Sequence, residues 1–211
     1  NKYFYQDSLQ VMKIRGKARA LLTGERTVLN FMQRMSGIAT LTSMFAMIVR
    51  KYGTVILDTR KTTPTIRHLE KYAVRCGGGV NHRMGLYDMA LIKDNHRVAW
   101  GGKHEKNLAL AVMEVRKRFP GRKIEIEVES ERQLSDALLG QPDWVLLDNM
   151  SPALAARCVR LCRGKCKTEA SGNINMKNVT RYAKSGVDAV SIGCLTHSAP
   201  SIDLSMEISA I

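Results

Sequence analysis

From residue 55 onward, short β-branched or apolar runs alternate with longer segments of helical period, and this rhythm constrains the fold more than any other feature of the chain. The short runs are 55–57, 90–92, 124–128, 145–147, the apolar-poor 168–170, and 189–192. Between them the spacing predicts helices over residues 65–76, 103–119, 131–139, 152–162 and 176–185. Strand, helix, strand at this interval marks parallel βα units. Six units are too few for an eight-stranded barrel, so an incomplete barrel or an open sheet is expected.

The residues at the end of each run are the second constraint. The runs lead into Asp58-Thr59-Arg60-Lys61, Lys93-Asp94-Asn95-His96, Glu127-Val128-Glu129-Ser130, Asp148-Asn149, Ser171-Gly172-Asn173 and Gly193-Cys194-Leu195-Thr196-His197. In parallel α/β folds the carboxyl ends of the strands share one face, and active sites are built there. One polar strand end is an ordinary solvated loop. Six in succession point to a site.

The N-terminal part breaks the rhythm. Residues 1–16 read as strand or turn. Residues 27–50 read as a helix with Leu29, Met32, Met35 and Ile38 on its apolar side, Arg26 at its start, and a break near Ser36-Gly37. At the other end Leu204-Ser205-Met206-Glu207-Ile208 alternates like a strand. Both ends are too short to bury a core alone.

Lys and Arg total 33 against 19 Asp and Glu, a net charge of +14. Such an excess attracts anions. Nucleic-acid binders gather basic residues into runs or faces. Here many stand singly beside Thr, Asn, Gly or His at strand ends, which favours small, highly charged anions and no nucleic acid. A membrane is not expected either. The most apolar stretch, 38–49, is interrupted by Thr40, Thr42 and Ser43, and no secretory signal is evident. The cysteines, Cys76, Cys158, Cys162, Cys166 and Cys194, are odd in number, which favours a reducing, cytoplasmic setting over a disulfide framework. Cys158, Cys162 and Cys166 recur at every fourth position, so on a helix they share a side; small buried side chains are expected there before metal ligands.

The candidate site is strongly cationic. Arg60, Lys61, His82, Arg83 and Lys93 sit at or near strand ends, with Arg26 on a separate segment. Arg offers a planar fork that matches a carboxylate two bonds at a time, so several forks suit a substrate with more than one carboxylate. Against these stand Glu127 and Asp148, each ending an otherwise apolar strand. Buried carboxylates need partners. Either they pair with the arginines or they hold Mg²⁺, which takes one or two carboxylates together with substrate phosphate. Ser171-Gly172 and Gly193 expose backbone N–H groups at late strand ends, with a helix expected soon after Ser171, an arrangement that attracts phosphate. Gly77-Gly78-Gly79 is either a flexible loop or a place where backbone passes close to a ligand.

Taken in order, these segments closely resemble the quinolinate phosphoribosyltransferase family. The resemblance is carried by Leu21-Leu22-Thr23-Gly24-Glu25-Arg26-Thr27, Arg34-Met35-Ser36-Gly37-Ile38-Ala39-Thr40, Asp58-Thr59-Arg60-Lys61-Thr62-Thr63-Pro64 and the stretch from Gly77 to Arg83. Leu91-Ile92-Lys93-Asp94-Asn95-His96, Leu147-Asp148-Asn149, Glu169-Ala170-Ser171-Gly172 and Leu195-Thr196-His197-Ser198 complete it. The resemblance implies an incomplete parallel α/β barrel over residues 37–198. It also implies remnants of an open α/β sandwich domain in residues 1–36 and 199–211, most of that domain preceding Asn1.

It further implies transfer of a phosphoribosyl group from phosphoribosyl pyrophosphate to quinolinate, with decarboxylation, in NAD biosynthesis. Quinolinate would be met by Arg26, Arg60, His82, Arg83 and Lys93. Lys61, Glu127 and Asp148 would meet phosphoribosyl pyrophosphate and Mg²⁺, and Ser171, Gly172, Gly193 and His197 the 5′-phosphate. Arg26 would come from the second chain of a homodimer, alone or within a higher oligomer. The family commonly has Gly where Thr65 and Asn173 stand. Two rival readings remain: phosphoribosyl transfer to another acid such as nicotinate, which needs fewer cations, and a silent polyanion binder, which rests on the net charge alone.

Overall fold

In the computed structural model, residues 9–100 and 107–209 are described. Six strands, Val55–Leu57 (β1), Ala90–Ile92 (β2), Ile124–Val128 (β3), Trp144–Asp148 (β4), Lys167–Ser171 (β5) and Ala189–Ser191 (β6), form one all-parallel sheet. Their order is β2-β3-β4-β5-β6-β1. The order never reverses, so the chain winds one way only, as in a barrel and unlike a doubly wound sheet. The ring is not closed: β1 and β2 are the two edges, and Val80 adds a single parallel bridge to β1 at Leu57.

Strand registers separate two faces. Ile56, Val190, Ala170, Val145, Leu147, Ile126 and Ile92 form one, almost entirely buried and apolar. Helices cover it: Leu108–Arg118 (α4) packs on Glu131–Leu139 (α5), α5 on Pro152–Cys162 (α6), α6 on Val179–Lys184 (α7), and α7 on the long Ala18–Val49 (α1), which also carries Arg67–Cys76 (α2). The opposite face bears Glu125, Glu127, Leu146, Asp148, Glu169, Ser171 and Ser191, and becomes the site. This one-sided cover makes the fold the expected incomplete barrel.

Local chemistry sets the helix starts. The side chains of Ser130, Ser151 and Asn107 each accept a backbone N–H of the first helical turn, and Pro152 opens α6 where no N–H is needed. The predicted helices at 131–139 and 152–162 appear with those bounds. The others are trimmed to α2, α4 and α7, with 103–106 of the segment predicted over 103–119 outside the described residues. Two short helices, Asp94–Trp100 (α3) and Cys194–His197 (α8), fall outside the predicted helical segments.

Four expectations are corrected. Of residues 1–16, read as strand or turn, 9–16 form no strand and 1–8 lie outside the described residues. Residues 202–209 alternate but pair with no sheet; the segment lies along α1, with Ile202 N–H donating to Gln33 O and the Gln33 side chain to Leu204 O, both at 3.1 Å. Residues 210–211 also lie outside the described residues. The helix expected to start at Thr27 and break at Gly37 starts at Ala18 and runs unbroken. Gly37 has a different purpose: a Cβ there would stand 1.9 Å from Pro200 O, so its hydrogen lets the C-terminal segment cross the helix. Cys158 and Cys162 are buried on α6, but Cys166 lies past its end, so the three do not share a helix face.

Candidate functional site

A cavity of about 950 Å³ opens at the carboxyl ends of the strands. It gathers Arg60, Lys61, His82, Arg83, Lys93, Glu127, Asp148, Ser171, Gly172, Gly193 and His197. Of the candidate site residues, Arg26 alone is not in its wall. Arg26 sits in the third turn of α1, its side chain 80% exposed, 3.4 Å from Glu25. It therefore lies well inside the helix and not at the start expected for it.

The cationic wall is set by a buried network. Asp58, fully buried at the end of β1, pairs with Lys71 of α2. It also accepts the His82 N–H at 2.8 Å and the Asn81 side chain at 2.6 Å. Lys71 donates in turn to His82 O at 2.8 Å. Burial raises the Asp58 carboxyl and lowers the Lys71 ammonium, while their pairing opposes both shifts. The network ties β1, α2 and residues 81–83 together, so Arg60 and Arg83 are presented from one rigid base. Arg83 donates to Met89 O at 3.1 Å, and burial, then Arg60, lowers its basicity. A Cβ on Gly77 would stand 2.3 Å from Ala39 O and one on Gly79 2.8 Å from Thr42 Cγ2, so the triplet passes close to α1 and does not line the cavity.

A second network fixes Lys61 and α8. Fully buried Glu70 accepts from Arg34 at 2.9 Å and from the Thr63 N–H and hydroxyl at 3.0 and 2.8 Å. Arg34 also donates to Thr196 O and, at 3.0 Å, to Ala199 O. The Thr196 hydroxyl donates to Lys61 O at 2.7 Å. Thr65 has φ +69°, a left-handed conformation that costs a β-branched residue about 1–2 kcal/mol.

Across the cavity, Glu127 meets Lys93 Nζ at 3.3 Å. Burial raises the Glu127 carboxyl, Lys93 pulls it back, and the adjacent Asp148 pushes it up again. Neither carboxylate is paired with an arginine: Asp148 accepts from the Asn149 side chain at 2.7 Å and makes no salt bridge among the described residues. Two oxygen ligands at neighbouring strand ends, one raised partly by the other's charge, fit a hard divalent cation such as Mg²⁺.

The phosphate end is built from turns. Gly172 has φ +101°, and a Cβ there would stand 2.2 Å from Asn149 Oδ1, so the turn tolerates no side chain. Asn173 takes φ +51°, which suits Asn better than most residues. The helix expected soon after Ser171 begins only at Val179, so helix-end attraction does not act at Ser171. Gly193 lies against His197 and Lys61.

Sequence reasoning passed over Glu125 and Glu169. Both are buried on the site face, with His82 Nε2 3.1 Å from Glu125 and 3.3 Å from Glu169. The signal was the strand alternation itself, which places Glu125 on the same face as Glu127. Burial opposes charge on His82, but the two carboxylates outweigh it and push the ring to about 10. Against that, the Arg83 N–H donates into His82 Nδ1 at 2.7 Å, and a second ring proton would point at that N–H. The hydrogen bond is the firmer constraint: the ring carries one proton, on Nε2. The Glu125 carboxyl is pushed up to about 7 by burial and then by Glu169, so it takes up a proton as pH falls below neutral.

Two family models match the chain, quinolinate phosphoribosyl transferase C-terminal domain over residues 38–207 and N-terminal domain over residues 4–36. The chain is 43% identical over 200 residues to a Bacillus subtilis protein named probable nicotinate-nucleotide pyrophosphorylase (carboxylating), covering 94% of this chain and 67% of that one. It is 42% identical over 206 residues to the nicotinate-nucleotide pyrophosphorylase (carboxylating) of Mycobacterium leprae, covering 96% and 71%. The crystal structure of NadC from Streptococcus pyogenes superposes with a TM-score of 0.84 at 42% identity, covering 91% of this chain and 66% of that one. The chain thus spans about two thirds of the length of these relatives.

Proposed function

The chain belongs to the quinolinate phosphoribosyltransferase family, and on that premise we propose that it transfers the phosphoribosyl group of phosphoribosyl pyrophosphate to quinolinate, releasing carbon dioxide and pyrophosphate and leaving nicotinate mononucleotide. The observation that carries this reading is a single cavity at the strand ends that brings together cations, two carboxylates and glycine turns.

Arg60, Arg83 and Lys93 hold the two quinolinate carboxylates, and His82, whose ring nitrogens face the Arg83 N–H and the two buried glutamates, supports that wall from behind. Arg26 of a second copy completes the wall; its exposure and its absence from the cavity of its own chain support a shared site in a homodimer. Ser171, Gly172, Gly193 and His197 take the 5′-phosphate. So held, the pyridine nitrogen faces the anomeric carbon, and orientation supplies much of the rate. The N–C bond forms as the C–O bond to pyrophosphate breaks. Lys61 meets the charge that grows on the leaving oxygen, and the Glu127 and Asp148 carboxylates offset positive charge on the ribose. Mg²⁺, held by Glu127 and Asp148 with substrate oxygens, would supply further neutralisation of the pyrophosphate. The quaternary ring nitrogen then draws the electrons of the adjacent carboxylate bond, carbon dioxide leaves, and the ring carbon takes a proton.

Residues 1–36 with 199–211 then form part of a first domain, and 37–198 the catalytic barrel, a division supported by the bonds of the C-terminal segment to Gln33 and Arg34. Five free thiols suit a reducing compartment, and we place the enzyme in the cytoplasm; no described helix is long and apolar enough to cross a membrane. The test is choice of acid. Quinolinate should be turned over and nicotinate poorly, because the cationic wall matches two carboxylates; equal turnover of the two would sink the assignment.

A further inference from the structure

His82 and Glu169 line the cavity, fully buried Glu125 lies just beneath it, and the two glutamates of this cluster have no purpose in the reaction as derived. The polar atoms of His82, Glu125 and Glu169 lie within 4.8 Å of one another. Both glutamates are at most 1% exposed, and both Glu125 oxygens and one Glu169 oxygen lack an aligned hydrogen-bond donor. Such a set invites a metal ion, but His82 argues against one. A metal-bound imidazole nitrogen has shed its proton, and the other nitrogen donates to a neighbour. Here Nδ1 does the reverse: it accepts the Arg83 N–H at 2.7 Å. The ring proton is therefore on Nε2, the atom that faces Glu125 and Glu169.

We propose that Glu125 and Glu169 are positioning residues for the quinolinate end of the site: their carboxylates, 3.1 and 3.3 Å from His82 Nε2, attract that edge of the ring without an aligned hydrogen bond, which keeps Nδ1 turned to the Arg83 N–H and so fixes where Arg83 stands. The consequence for substrate rests on the proposed function; the ring tautomer does not. The backbone of this segment is already gripped from the other side, by Asp58 on the His82 N–H and by Lys71 on the His82 carbonyl. What remains free is rotation of the imidazole. A rotated ring would strip the Arg83 N–H of its acceptor and leave a half-buried donor unmet. The guanidinium is anchored to Met89 O at 3.1 Å, a single bond that alone does not set its direction. The two carboxylates thus act on the substrate through two residues, without touching it.

The experiment combines kinetics with ¹⁵N NMR of the histidine rings in the full chain. Glu169→Leu removes an acceptor, whereas Glu169→Gln keeps a carbonyl oxygen that can accept the same proton. The leucine variant should raise the KM for quinolinate by about tenfold or more while the KM for phosphoribosyl pyrophosphate stays within about twofold, and the glutamine variant should restore most of the loss. A parallel rise of both Michaelis constants, or a fall in kcat alone, overturns the proposal. Should the leucine variant fail to fold, the parent chain and Glu169→Gln decide it. Their His82 rings must show a single proton on Nε2 at neutral pH, and a proton on Nδ1 or a doubly protonated ring overturns the proposal. If the parent chain does not turn over quinolinate, the functional reading falls, and the ring tautomer still judges the positioning claim.

Discussion

Two glycines of one helix should respond to alanine with opposite signs. At Gly24 of α1 nothing lies within 4 Å of an added Cβ. Gly24→Ala therefore collects only the helix preference of Ala over Gly, about 1 kcal/mol of added stability. At Gly37 the same preference meets Pro200 O at 1.9 Å and Pro200 C at 2.9 Å, both backbone atoms that cannot rotate away. The cheapest relief is to lift residues 199–204 off the helix. That breaks the bonds Arg34 to Ala199 O, Ile202 N–H to Gln33 O, and Gln33 to Leu204 O. At about 1 kcal/mol for each bond, the loss exceeds the helix gain and leaves Gly37→Ala about 2 kcal/mol less stable than the parent. Urea unfolding at one fixed protein concentration measures both variants, with concentration held because a dimer links stability to it. The reasoning is refuted if Gly37→Ala matches or exceeds the parent while Gly24→Ala gains as expected.

The same geometry sets further outcomes. Asp148→Asn should lower turnover by about a hundredfold or more, as removal of a charge that acts on the transition state does, with little change in unfolding midpoint; chelation of divalent cations should likewise abolish activity, and full activity in chelator would return Glu127 and Asp148 to a purely structural account. Mixing Arg26→Ala with Arg60→Ala chains, each inactive alone, should restore activity after subunit exchange, because a shared site leaves one intact copy per mixed dimer; mixed dimers without activity would confine Arg26 to its own chain. The Glu125 carboxyl is raised from 4.5 to about 7 in the folded chain. The folded state therefore binds the extra proton between those values, and stability should fall as pH rises through that window and level off above it. Glu125→Gln should flatten that slope in pH-dependent unfolding, and an unchanged slope would assign it to other groups.

The barrel was legible because its signals are local. Apolar strands such as 124–128 and helices opened by Ser130 or Ser151 announce themselves within a few residues. Polar strand ends converge because parallel strands must, which is why Arg60, Lys93, Glu127, Asp148 and Ser171 reach one cavity. What could not be read depends on contacts between distant segments. Gly37 resembles a helix breaker until Pro200 is seen against it, and Gly77 resembles a ligand loop until Ala39 is. The strand-like alternation of residues 204–208 had no edge to join, since their neighbour is α1. Glu125 was hidden for another reason: its alternation was visible, but its partner His82 comes from a loop far along the chain.

The central claim meets its most direct test in the products formed with phosphoribosyl pyrophosphate and quinolinate labelled at the carboxylate beside the ring nitrogen. Transfer coupled to decarboxylation predicts labelled carbon dioxide and pyrophosphate in equal amounts, with nicotinate mononucleotide free of label. Pyrophosphate released without carbon dioxide, or label retained in the nucleotide, would contradict it.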